Sequence, residues 1–124
     1  MSKEALEKFG AIVIREIRDA SIDHWERILD GRMKGQSAKE THARIQIRGQ
    51  QCQEQLREMI PKIVDTALHH MMCTLETHED IDLHIQSPKG GVENLRESSD
   101  GLAGELYGDT GWIAKFSSVK ENTK

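Results

Sequence analysis

The sequence predicts an α+β fold that is predominantly α. The expectation is a three-helix core, two long helices and a shorter third, with a small C-terminal antiparallel hairpin or three-stranded sheet. Three observations predict it. Apolar residues recur at steps of three and four up to about residue 77. Residues 81–86 then alternate apolar and polar, as a half-buried strand does. Beyond them, glycine-bearing turns separate short apolar runs.

The first helix is expected over residues 2–30. Leu6, Phe9, Val13, Ile17, Ala20 and Ile28 share one face, and Ile14, Ile22, Trp25 and Leu29 widen it. Gly31 and Gly35 stop the pattern. A second helix is expected from Ser37, where Ser37 and Glu40 have capping-box spacing. Its stripe is Ala38, His42, Ile45, Gly49, Cys52, Leu56 and Met59, a seam suited to an antiparallel neighbour. Pro61 lacks a backbone N–H, so a kink or restart is expected there. The third helix is expected over residues 61–77, with Ile60, Val64, Leu68, Met71 and Leu75 inward, and Ile63, Ala67 and His70 flanking.

Residues 81–86 are expected as a strand and 87–91 as a turn, with 93–104 irregular. A hairpin is expected over residues 106–116, turning at Gly108-Asp109-Thr110-Gly111 and anchored by Trp112 and Phe116. A β segment this small cannot stand alone, so residues 1–116 form one domain and 117–124 a polar, flexible tail.

Composition narrows the function classes. The 124 residues are 36% hydrophobic and 31% charged, polar for a globular chain, so either the helices are long and well solvated on their outer faces or some of the core is completed by a partner or a second copy. No apolar run approaches the roughly 18 residues of a membrane span, and the first residues lack a secretory h-region. Two cysteines, Cys52 and Cys73, are too few for a disulfide framework and fit reduced thiols in a cytoplasmic setting. Charge is uneven. Through Lys62 there are 12 Lys+Arg against 10 Asp+Glu, and from Ile63 onward 5 against 11. The acidic half repels phosphate backbones and attracts basic partners.

Several chemistries are weighed on their residues. Asp65, His69 and Cys73 lie four apart, so one helix face could present them to a metal ion. His78 and His84, with Asp80 and Asp82 between them, form the second metal candidate. The same two groups are the basis for a metal-binding or hydrolytic alternative. The latter segment has neither the glycine of a calcium loop nor the second histidine of a zincin helix. Asp109-Thr110-Gly111 matches an aspartic-protease tripeptide, but that chemistry needs paired aspartates on a β-rich frame. No phosphate loop, dinucleotide fingerprint or nucleophile elbow occurs, and no cofactor is expected. The one basic concentration is residues 32–39 with Arg44 and Arg48 beyond. With a pI near 5.9 and 4% aromatics, it does not predict a nucleic-acid binder.

The expectation is therefore a non-enzymatic protein-interaction module, of immunity or inhibitor type. Its partner surface would be acidic, with Asp82, Glu105 and Asp109 as charges and Tyr107 and Trp112 as aromatic anchors, facing a basic protein. The seam repeat also permits a homo-oligomer.

Overall fold

A computed structural model describes residues 3–119. The α+β, predominantly α class holds, and the element boundaries differ from the expected ones in instructive ways.

The first long helix runs as three consecutive pieces: α1 (Lys3–Ile12), a π-helical segment (Val13–Arg18) and α2 (Asp19–Asp30). The π segment explains why simple α periodicity misplaces part of the core. Its hydrogen bonds span five residues, and Asp19 N–H donates to Ile14 O accordingly. Residues five apart are thereby brought round to one side. Val13 and Arg18 are both buried, as are Ile14 and Asp19. Ile17, expected inward, is instead 41% exposed.

After the turn at 31–35 comes α3 (Gln36–Ile47), then α4 (Gln50–Thr77). The expected restart at Pro61 does not occur. Pro61 sits inside α4, bracketed by buried Ile60 and Leu68, whose packing carries the helix past the missing donor. The break lies at Gly49 instead. Its φ of 94° and ψ of 170° are open to glycine and costly to any other residue. The expected Ser37–Glu40 capping box is also absent. Gly35 holds the N-cap position without a side-chain hydrogen bond, and Glu40 accepts from Gln36. The short helix is thus the middle one.

Strands β1 (His84–Gln86) and β2 (Val92–Asn94) pair antiparallel, with Ile85 opposite Glu93. Ser87 N–H donates to Gly91 O to close the turn. Asn94 then caps α5 (Leu95–Ser98) by accepting from Arg96 N–H at 3.0 Å. The expected hairpin at 106–116 is not formed. A 3₁₀ turn (Ala103–Leu106) and a short helix α6 (Trp112–Phe116) occupy that stretch. Trp112, Ile113 and Phe116 fit helical as well as strand spacing, and packing decides between them. Trp112 lies 2% exposed against Phe9, edge to face at 5.8 Å.

Two apolar clusters result. The larger joins α1, the π segment, α4, α5, the 3₁₀ turn and α6 through Leu6, Ile14, Leu68, Met72, Leu95 and Trp112. Met72, which the expected stripe omits, is fully buried, whereas Met71 is 38% exposed. The smaller has Ile22, Leu29 and Ile60 at its centre, with Ile45, Leu56 and Val64 at its edge. Of the expected tail, Ser117 to Val119 are described, and Val119 packs against this smaller cluster. Residues 120–124 lie outside the described residues.

Gly10 makes the larger cluster possible, because a Cβ there would sit 2.5 Å from the Trp112 ring. Gly10→Ala is expected to cost about 1–3 kcal/mol as overpacking. Urea unfolding checks this, and an unchanged midpoint would contradict it.

Candidate functional site

The most constrained side chain is Arg18. Its guanidinium is fully buried. Nε donates to Asp65 Oδ1 at 2.7 Å and a terminal nitrogen to Asp65 Oδ2 at 3.3 Å, a two-pronged contact. The other terminal nitrogen donates to Asp19 at 3.2 Å and to Ser117 Oγ at 3.0 Å. Asp19 in turn accepts from Ser117 Oγ and from Ser118 N–H. Burial opposes the charge on Arg18, but the hydrogen bonds and charges of Asp65 and Asp19 outweigh it, so its pKa is raised. Both oxygens of Asp65, one of the expected metal candidates, are thus engaged by Arg18.

One turn further along α4, the structure brings two separately expected sites together. His69 Nδ1 lies 3.0 Å from the Tyr107 hydroxyl, and His69 Nε2 lies 3.7 Å from Cys73 Sγ. The chain Tyr107–His69–Cys73 fastens the 3₁₀ turn region to α4. Burial, then the charges of Asp65 and Cys73, raises the Tyr107 pKa. The phenol therefore stays protonated through neutral pH and keeps its hydrogen bond. One histidine and one thiol fall short of the three protein ligands of a catalytic zinc. Among the described residues no group of three or more His, Cys, Asp or Glu is placed to hold an ion. His78 and Asp80 approach only to 3.9 Å, both exposed. His84 begins β1 with its side chain outward.

The acidic surface is divided. Asp82 is 69% exposed and lies 3.9 Å from Arg96. Arg96 is itself occupied, donating to the carbonyls of Ile81 and Glu76. Glu105 accepts from Ser99 Oγ at 2.7 Å. It lines a polar cleft of about 570 Å³ with Lys3, Glu7 and Lys115. Lys115 and Glu7 pair with each other there. Asp109 is exposed in the turn before α6, and Tyr107 is half exposed. Trp112 is not available as an anchor, because it is buried against Phe9 and Gly10.

A different surface has the character of a binding site. Between α2, α3 and α4 lies a cleft of about 250 Å³ lined by Trp25, Leu29, Ile45, Leu56, Ile63 and Val64, with Ile60 at its base. Its walls are almost wholly apolar. Trp25 is 42% exposed and Ile63 58%, and neighbouring Met59 is 51% exposed. α3 buries no residue at all. It is held to α2 by His42, whose Nδ1 lies 3.1 Å from the carbonyls of Ile28 and Leu29. Arg57 of α4 pairs with Glu26 and Asp30 of α2 at the same end. Hydrogen bonds from Arg57, then from Arg32, hold the Asp30 carboxyl below its usual range. That contribution is present above the ordinary carboxylate pKa and is lost as pH falls through the lowered one.

Comparison with family models, curated proteins and solved structures gives no match. The site is therefore read from its own chemistry. The periodicity of the sequence marks Trp25, Ile45, Leu56 and Ile63 as apolar helix-face residues, and it assigns them to a covered core. The signal that they stay open was the excess of apolar face on two long helices over what a 12-residue α3 can cover.

Two outcomes follow from these networks. Arg18→Met keeps the volume and removes the charge, leaving Asp19 and Asp65 without their cation. It is expected to cost about 3–5 kcal/mol in urea unfolding, and a loss below about 1 kcal/mol would refute the network's role. The Tyr107 phenol should titrate above the ordinary value of about 10 in an ultraviolet titration. A value at or below the ordinary one would show that the phenol is neither desolvated nor near Asp65.

Proposed function

We propose that this protein is a protein-interaction module without catalytic chemistry of its own. The surface that carries the reading is the apolar cleft between α2, α3 and α4. The single observation behind it is that α3, a 12-residue helix facing this cleft, buries no residue while Trp25, Met59 and Ile63 remain about half exposed beside it. A short helix gains little from its own hydrogen bonds and depends on packing. Covering the exposed parts of these three side chains is worth on the order of 1 kcal/mol each.

A protein fits this surface better than a small molecule does. The exposed apolar area extends past the cleft onto Met59, and the walls offer almost no polar group to orient a compact ligand. The acidic C-terminal face is the weaker candidate, because its expected anchor Trp112 packs inward and Tyr107 is tied to His69. Among the described residues no helix is long and apolar enough to cross a membrane, so the patch is not one flank of a span.

A photo-crosslinking amino acid in place of Ile63 should trap a discrete heavier species in cells of the source organism. The same residue in place of Val92, equally exposed on β2, should not. The adduct's mass separates a second copy of this chain from a different protein. Equal trapping at both positions, or none at Ile63, would sink the reading.

A further inference from the structure

The cleft has an electrostatic setting that its apolar walls do not explain. From Arg32 to Lys62 the chain carries seven Lys+Arg and three Asp+Glu, in a protein whose net charge is −4. The four acids of α2, Asp19, Asp23, Glu26 and Asp30, are each paired with an arginine. Two of the seven are used within the fold, Arg32 by Asp30 and Arg57 by Glu26 and Asp30. Lys34, Lys39, Arg44, Arg48 and Lys62 are exposed and have no ion pair among the described residues. Helix geometry then sorts the charges. Glu54 and Glu58 lie two residues either side of Leu56, and Glu40 lies five before Ile45. At about 100° per residue, these spacings turn all three acids away from the cleft. Arg48, three residues after Ile45, stays on its side of α3, and Arg44, four before Arg48, lies on the same flank. Lys62, two residues from both Ile60 and Val64, is turned away with the acids.

We infer that the cleft receives an amphipathic α-helix of another protein, with acidic residues flanking its apolar face. This rests on the interaction-module reading and adds the partner's chemistry. The apolar stripe would lie against Trp25, Ile45, Leu56 and Ile63, in the helix-in-groove mode. Its acids would meet Arg44 and Arg48. These rim charges speed encounter and select against basic partners more than they add affinity. A second copy fits less well, since a two-fold contact through this face would set one basic margin against another.

The probe is a pair of fluorescent peptides of about 18 residues, long enough for five helical turns. Both carry leucine along one face. One has glutamate on the other face, and its counterpart has lysine. The full chain is titrated into each at low and high salt, with anisotropy and Trp25 emission as readouts. The acidic peptide is expected to bind saturably, at least about tenfold more tightly than the basic one, with salt narrowing the gap. Arg44→Glu with Arg48→Glu should remove roughly fivefold to tenfold of that preference. Ile63→Asp, at an exposed position, should abolish binding while circular dichroism stays unchanged. Trp25→Phe should remove the emission change and leave binding measurable by anisotropy. Equal binding of the two peptides, a preference for the basic one, or no binding of either overturns the inference. So does binding to phosphatidylserine vesicles in place of the acidic peptide. If any of these accompanies efficient crosslinking at position 63, only the partner's chemistry falls and the docking surface stands.

Discussion

A guanidinium shut away from water must be matched by carboxylates, and meeting that requirement at Arg18 organises the rest of the molecule. Its partners come from three places: Asp19 beside it, Asp65 on α4 and Ser117 beyond α6. The network therefore fixes how the first long helix, α4 and the C-terminal segment meet. It also explains the π segment. An unbroken α-helix would not stack Val13 with Arg18 and Ile14 with Asp19, and the wider turn does. Once Arg18 meets Asp65, antiparallel register carries Arg57 to Glu26 and Asp30 some two turns away. Trp25 is thereby set across from Ile60, Ile63 and Val64, which makes the cleft.

The two ends of the long-helix pair differ in how well they are closed. At the Arg18 end, α5, the 3₁₀ turn and α6 complete the larger cluster, with Trp112 pressed on Gly10 and Glu76 accepting from Ala103 N–H. At the other end, among the described residues, α3 and Val119 complete the cover. α3 crosses the cluster through Ile45 and His42 and leaves the margins open. Regions with few buried apolar contacts open most readily, and binding surfaces are drawn from them. The polar composition of the chain belongs to the same picture: apolar residues suffice for one closed cluster and one that is left partly open.

Much of this was legible in the sequence, and what was not has physical causes. The long helices follow from apolar spacing, and the strand pair from the alternation at 81–86, although the strand proper is only His84–Gln86. The phase of the core after Ile12 was not legible, because α periodicity cannot anticipate a π turn driven by a buried Arg–Asp network. Pro61 signals a kink or restart because its missing donor is a local fact, whereas the packing that carries α4 past it is tertiary. Trp112 fits a strand as well as a helix because five residues serve either period, and only the hollow at Gly10 decides. Among the site residues, the shared helix face of Asp65, His69 and Cys73 was readable. That Arg18 takes Asp65 and Tyr107 takes His69 was not, since those partners lie 47 and 38 residues away.

The central claim is that α3 and the cleft it borders are left incompletely packed for a partner to complete. Amide hydrogen exchange on the isolated chain tests it most directly. Amides of α3 and of the first turns of α4 should exchange through local opening, well before those around Val13–Asp19 and Leu68–Met72. The latter should exchange only with global unfolding. Protection of α3 equal to that of the Arg18 network would mean its packing is already complete, and would contradict the account.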